Sequence, residues 1–97
     1  MKAIDPGSVE ALPFDAIELV AVWPARGIRR RWRIVAARDL FGQVVVDTCW
    51  GRIGSAGQRA TRSFAREAEA LRYVRALLRR RAGAARRLGT GYRPRTS

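Results

Sequence analysis

The hydrophobic pattern changes period once along the chain. Ile17–Trp23 (IELVAVW) is an apolar, β-prone run, which predicts a first strand. Pro24 to Gly27 supplies a turn. From Arg31 to Arg38 (RWRIVAAR), Trp32, Ile34 and Ala36 alternate with Arg31 and Arg33. Period two of this kind describes a half-buried strand with a basic outer face. Asp39-Leu40-Phe41-Gly42 carries turn chemistry, with Asp first and Gly last. Gln43–Trp50 (QVVVDTCW) predicts a third strand, and the Gly51, Gly54, Gly57 cluster a tight connection. Gln58–Phe64 (QRATRSF) alternates again as a fourth strand.

From Glu67 to Arg81 the period becomes helical. Ala70, Leu71, Val74, Leu77 and Leu78 recur at spacings of three and four, and Arg72, Arg75, Arg79 and Arg80 lie largely off that stripe. Glu67 and Glu69 at one end and Arg79–Arg81 at the other suit the helix macrodipole, and Gly83 offers a stop. The tail is expected to fold back along the sheet through Leu88 and Tyr92. A strand meander and one helix are each unstable alone, so one sheet face must bury the helix stripe. The expected fold is α+β: an antiparallel four- to five-stranded sheet with one long helix packed on one face. Trp32, Phe64, Val74, Leu78 and Trp23 are assigned to the core. Residues 1–15 read as a flexible leader, 16–93 as the domain and 94–97 as a tail.

Composition bounds what such a domain does. At 97 residues with 47% hydrophobic content, the chain fits one globular domain with a modest core. No stretch approaches the ~20 apolar residues of a membrane span. The N-terminal MKAIDPGSVEALPFD lacks a signal peptide's apolar run. Cys49 is the single cysteine, so no internal disulfide forms, which fits a reducing cytosol. With no His and no Cys neighbours, no zinc site can be assembled, and no nucleophile has an evident base. Neither metal, cofactor nor catalysis is expected.

Charge narrows the reading further. The net charge is +12, and of 20 basic residues only Lys2 is lysine. Residues 1–50 hold seven basic and six acidic residues, whereas residues 51–97 hold thirteen and two. Arginine-rich coding composition would explain the choice of Arg over Lys, but not the missing acids after residue 50. A one-signed field over half a small domain attracts polyanions.

The segment Arg38–Gln58, RDLFGQVVVDTCWGRIGSAGQ, resembles the WGR domain family. Trp50-Gly51-Arg52 is the naming tripeptide, continued by Ile53-Gly54 and Gly57-Gln58. Trp32-Arg33-Ile34 one strand earlier, Phe64, the acidic helix start and Gly91-Tyr92 follow in the family's order. The resemblance spans roughly residues 17–93 and implies an antiparallel sheet with one helix and a nucleic-acid-binding role. In poly(ADP-ribose) polymerases the domain binds DNA strand breaks and signals to a catalytic domain. The 97 residues are expected to hold no such catalytic domain, so no polymerase activity is expected to carry over. An extra stretch, Ala82–Thr90, departs from the family.

By this resemblance Arg52 is placed at a 5′-phosphate, which its planar fork of donors suits. The competing role is capping carbonyls or pairing Asp47. Trp50 is either a stacking platform for a terminal sugar or base, or a core residue. Gly51 permits close backbone approach to a ligand, or serves turn geometry alone. Arg31, Arg33, Arg59 and Arg62 form a candidate basic stripe beside the motif, and the helix arginines a second surface. The expected partner is DNA, with preference for breaks or 5′-phosphorylated ends, or RNA as a variant. The alternative is a protein–protein adaptor in DNA repair or processing, recognisable by an exposed aromatic anchor. Either role fits a bacterial cytoplasmic, nucleoid-associated protein.

Overall fold

The computed structural model describes residues 11–83 and 90–94. In chain order it contains β1 (Ile17–Trp23), a 3₁₀ turn (Pro24–Arg26), β2 (Ile28–Arg38), β3 (Val44–Arg52), β4 (Gln58–Phe64), α1 (Glu67–Ala82) and β5 (Arg93–Pro94). The five strands form one sheet in the order β4-β3-β2-β1-β5. Neighbouring strands pair antiparallel throughout. The architecture is therefore α+β with a single helix on the sheet.

Register explains which face the helix covers. Leu19 opposes Trp32, Trp32 opposes Trp50, Ile34 opposes Thr48, and Ala36 opposes Val46. Directly opposed residues share a face, so these positions build one apolar surface. Trp32, Leu19, Ile34, Val44 and Val46 are fully buried there. Ala70, Val74 and Leu78, spaced four apart, press on them from α1 and are equally buried. Leu71 is half-buried, outside that tightest line. Phe64 is also half-buried, its ring 5.2 Å from that of Tyr73. Trp23 lies outside the buried cluster, with the Arg26 guanidinium 5.0 Å over its ring.

Several boundaries differ from the sequence reading. β2 begins at Ile28 and not at Arg31, so Arg29 and Arg30, which the sequence reading left between turn and strand, belong to the strand. The longer β2 gives β3 more backbone to pair with, and β3 runs on through Gly51 to Arg52. Gly83 ends α1 at φ −83°, donating its N–H to the Arg79 carbonyl, so the stop uses no left-handed residue. Residues 11–15, assigned to the leader, are partly packed. Leu12 touches the core, Pro13 is buried, and the Pro13 carbonyl accepts the Ala36 N–H at 2.8 Å. Tyr92 packs against the core as the tail returns to β1, while Leu88 lies outside the described residues. No described helix is long and apolar enough to cross a membrane.

Candidate nucleic-acid interface

The Trp-Gly-Arg tripeptide spans the end of β3, and its turn is fixed by backbone and one arginine. Ser55 donates both its N–H (3.0 Å) and its hydroxyl (2.8 Å) to the Arg52 carbonyl. Ile53 N–H reaches the Arg29 carbonyl at 2.9 Å. Arg31 crosses from β2 and donates to the Ser55 and Ala56 carbonyls at 2.5 and 2.8 Å. Its guanidinium therefore holds the loop in shape. Arg31→Met should leave the fold intact and speed amide exchange across residues 55–57. Unchanged protection factors there would rule out the clamp.

Glycine is required where two strands of this loop meet. A Cβ on Gly57, at φ +70°, would stand 2.3 Å from the Trp50 carbonyl oxygen. One on Gly51 would stand 2.8 Å from the Gly57 Cα. The backbones of residues 50–51 and 57 thus approach as closely as missing side chains permit.

The two faces of the sheet divide the arginines. Arg30 and Arg52 are register partners on the helix-bearing face, in line with Trp32 and Trp50. Arg33 and Arg59 each oppose Cys49 on the other, open face. Arg33 lies 3.5 Å from Glu18, an exposed pair of small energetic worth. Arg62, opposite Val46, returns to the helix face, where its guanidinium rests 5.4 Å over Phe64 and 4.9 Å over Tyr73. The structure therefore brings Trp50, Gly51 and Arg52 together and leaves Arg31, Arg33 and Arg59 behind the sheet. Arg62 stands apart from both groups. On the helix, Arg72, Arg79 and Arg80 are exposed and Arg75 is half-buried.

Beyond the C-terminal end of α1, the helix-bearing face opens into a cleft of about 570 Å³. Its walls are Trp50, Gly51 and Arg52 of β3, residues 26–30 of the turn and β2, Arg81 of α1, and Tyr92. Trp50 is half-buried: it packs on the core and also lines the cleft. Arg81 lies 5.1 Å over the Trp32 ring and 5.8 Å over Tyr92, which ties the helix end to the returning tail. Five arginines, and among the described residues no carboxylate, line this space. The volume falls in the range of small-ligand sites, about 300–1,000 Å³.

Arg52 is exposed, and among the described residues no hydrogen bond or ion pair engages its guanidinium. The Asp47 carboxylate faces the opposite side and accepts the Thr61 hydroxyl at 2.5 Å. Arg30 opposes Arg52 directly, a like-charged pair that costs stability on a bare sheet.

Sequence reasoning missed Arg26, Arg30, Arg81 and Tyr92. Arg30 was legible in principle, because it shares parity with Trp32 and the true strand starts at Ile28. Arg81 and Tyr92 reach the cleft only through helix docking and chain return.

Residues 17–96 match the family model of the WGR domain. The chain is also similar to an uncharacterized protein, y4dW, of Sinorhizobium fredii (strain NBRC 101917 / NGR234), with 35% identity over 74 residues. That match covers 76% of this chain and 33% of the relative, so the chain spans about a third of that protein's length. No solved structure matches the chain. With the motif, the sheet-and-helix architecture and this match in agreement, the chain belongs to the WGR domain family, a nucleic-acid-binding type of module.

Proposed function

We propose that this protein binds DNA at strand breaks or 5′-phosphorylated ends, with the terminal phosphate in the cleft at Trp50-Gly51-Arg52. One observation carries the reading: an exposed Arg52 guanidinium beside Trp50, with no hydrogen-bond or ion-pair partner among the described residues, in a cleft lined by five arginines. A planar guanidinium meets a phosphate through two parallel hydrogen bonds. Arg30, its cross-strand neighbour, adds a second fork. Trp50 offers a face for the terminal sugar or base, an interaction worth roughly 1–3 kcal/mol. Arg33 and Arg59 behind the sheet, and the helix arginines, add diffuse attraction to the flanking backbone. In this reading the protein works by binding alone, at the nucleoid of a bacterial cell. RNA presents the same phosphate chemistry and forms one arm of the test.

The test is an electrophoretic shift series at two salt concentrations. It compares nicked, blunt phosphorylated, blunt dephosphorylated and closed circular DNA, with 5′-phosphorylated RNA alongside. Neutralising about four to six phosphates gives a log–log salt slope of about −4 to −5 on duplex DNA. Phosphorylated ends should bind tightest. Equal affinity for nicked, phosphorylated-end and closed circular DNA would reject the end preference, and no binding at low salt would reject the whole reading. An adaptor for other proteins would show little DNA affinity and a shallow slope.

A further inference from the structure

The cleft at the Trp-Gly-Arg turn carries more positive charge than one terminal phosphate can match. Four arginines line it from four different elements: Arg26 from the 3₁₀ turn, Arg30 from β2, Arg52 from β3 and Arg81 from α1. Arg29 also lines it, but it shares the strand parity of Arg31, and its carbonyl holds the loop through the Ile53 N–H at 2.9 Å. Among the described residues no carboxylate lines the cleft to offset this charge. A phosphate monoester carries about −1.5 to −2 at neutral pH, so it neutralises roughly two positive charges. Each further phosphate linked to it adds about one more negative charge.

Spacing points the same way. Arg30 and Arg52 are direct register partners, so their Cβ atoms stand about 4.5–5.5 Å apart. Successive phosphates of a nucleic-acid strand are separated by a whole sugar, whereas the phosphates of a nucleoside di- or triphosphate share a single bridging oxygen. Two guanidinium forks rooted this close together suit directly linked phosphates. The space also exceeds what one phosphate fills: about 570 Å³, the size of a small-ligand site. Trp50 and Tyr92 give it aromatic walls for a base or sugar. Arg81 is held between the Trp32 and Tyr92 rings, 5.1 and 5.8 Å from their centres, which fixes the charge at the helix end in place.

Given the phosphate-binding cleft proposed above, on which this rests, we infer that its preferred ligand is a nucleoside 5′-di- or triphosphate, either free or at the 5′-end of an RNA strand. The linked phosphates lie across Arg30 and Arg52, and the nucleoside lies against Trp50 and Tyr92. Both sources present the same chemistry to the cleft, a short phosphate chain ending on a nucleoside. A monophosphate end uses part of the site and binds less tightly.

Two affinity series on the full chain test this at about 0.15 M salt. Isothermal titration calorimetry compares adenosine mono-, di- and triphosphate with inorganic triphosphate. Fluorescence anisotropy compares short RNAs of one sequence with a 5′-hydroxyl, 5′-monophosphate or 5′-triphosphate. The triphosphate should bind about ten-fold tighter than the monophosphate or better, the gain expected of added charge-assisted hydrogen bonds. Inorganic triphosphate should bind more weakly than adenosine triphosphate. A gain confined to RNA assigns the cleft to strand ends, and one confined to adenosine nucleotides assigns it to the free nucleotide. R30S/R52S should bring the ratio of tri- to monophosphate affinity near one. R33S/R59S removes the same charge from the open face and should keep the ratio. Circular dichroism melts establish that both variants are folded, and the wild-type ratios decide the matter without either. Equal affinity for mono- and triphosphates in both series would overturn the inference. So would a ratio that falls as far in R33S/R59S as in R30S/R52S, or inorganic triphosphate that matches adenosine triphosphate. Mono- and triphosphates bound equally, with phosphorylated DNA ends still preferred over closed circles, would leave the proposed function standing. Triphosphate binding by a protein that ignores DNA ends would do the reverse.

Discussion

Arg52→Ala should weaken binding to a 5′-phosphorylated DNA end by about 10- to 100-fold, as measured by fluorescence anisotropy. The magnitude follows from a charge-assisted hydrogen bond to phosphate, worth about 1.5–3 kcal/mol, where each 1.4 kcal/mol is a factor of ten. Binding to closed circular DNA should fall much less, because the remaining arginines still supply the diffuse field. The magnitude of the salt slope should drop by about one, as expected when one fewer phosphate is neutralised. Arg30→Ala should act in the same direction, since Arg30 directly opposes Arg52. Neither change should lower the melting temperature, because each removes one member of a like-charged cross-strand pair. Arg33→Ala is the internal comparison: it lies on the open face beside Glu18, and its loss should weaken both substrates alike. An Arg52→Ala protein that lost equal affinity for ends and circles would refute the end-specific role while leaving electrostatic binding intact.

Gly57→Ala should be the most destabilising single-methyl change in the motif, at about 3 kcal/mol or more. Two costs combine. The residue adopts φ +70°, where a side chain costs roughly 1–2 kcal/mol. The added Cβ would also stand 2.3 Å from the Trp50 carbonyl oxygen and 3.1 Å from its carbon, both backbone atoms with no rotamer to give way. For a domain of this size each kcal/mol shifts the melting temperature by about 4–8 °C, so a drop of well over 10 °C is expected. Gly54→Ala separates the two costs. It shares a positive φ, +88°, but nothing lies within 4 Å of its added Cβ. Its loss should stay near 1–2 kcal/mol, the conformational part alone. Thermal melts of the two variants side by side decide the point, and equal losses would mean that the close approach of residues 50 and 57 contributes nothing.

Both expectations depend on the motif being a structural joint as well as a contact surface. Arg31 belongs to the joint, since its guanidinium is committed to the Ser55 and Ala56 carbonyls. Arg52, one register step away and on the other face, is left open to a ligand. Alternation along a strand thus assigns adjacent arginines of opposed strands to different tasks.

The order of strands, the single helix and the core-facing stripe of α1 were legible in the residues themselves. Periods of two and of three to four reflect how side chains project from strand and helix, and that projection is local. Trp32, Val74 and Leu78 could be placed in the core for the same reason. The Trp-Gly-Arg segment was visible as a motif, and the parity of β2 already separated Arg31 and Arg33 from Trp32. What local pattern could not supply was how far β2 extends. Ile28 joins the ladder opposite Trp23 of β1 and Arg30 joins it between Ala21 of β1 and β3, and the β3 pairing sets Arg30 against Arg52. Likewise Arg81 and Tyr92 reach the cleft from a helix end and a returning tail, separated by tens of residues from Trp50. Register and docking are long-range choices, made where burial of the shared apolar face is greatest. Sequence alone therefore determined the elements and the basic character of this protein. Only the folded chain decided which arginines meet around one cleft and which are spent holding its loop.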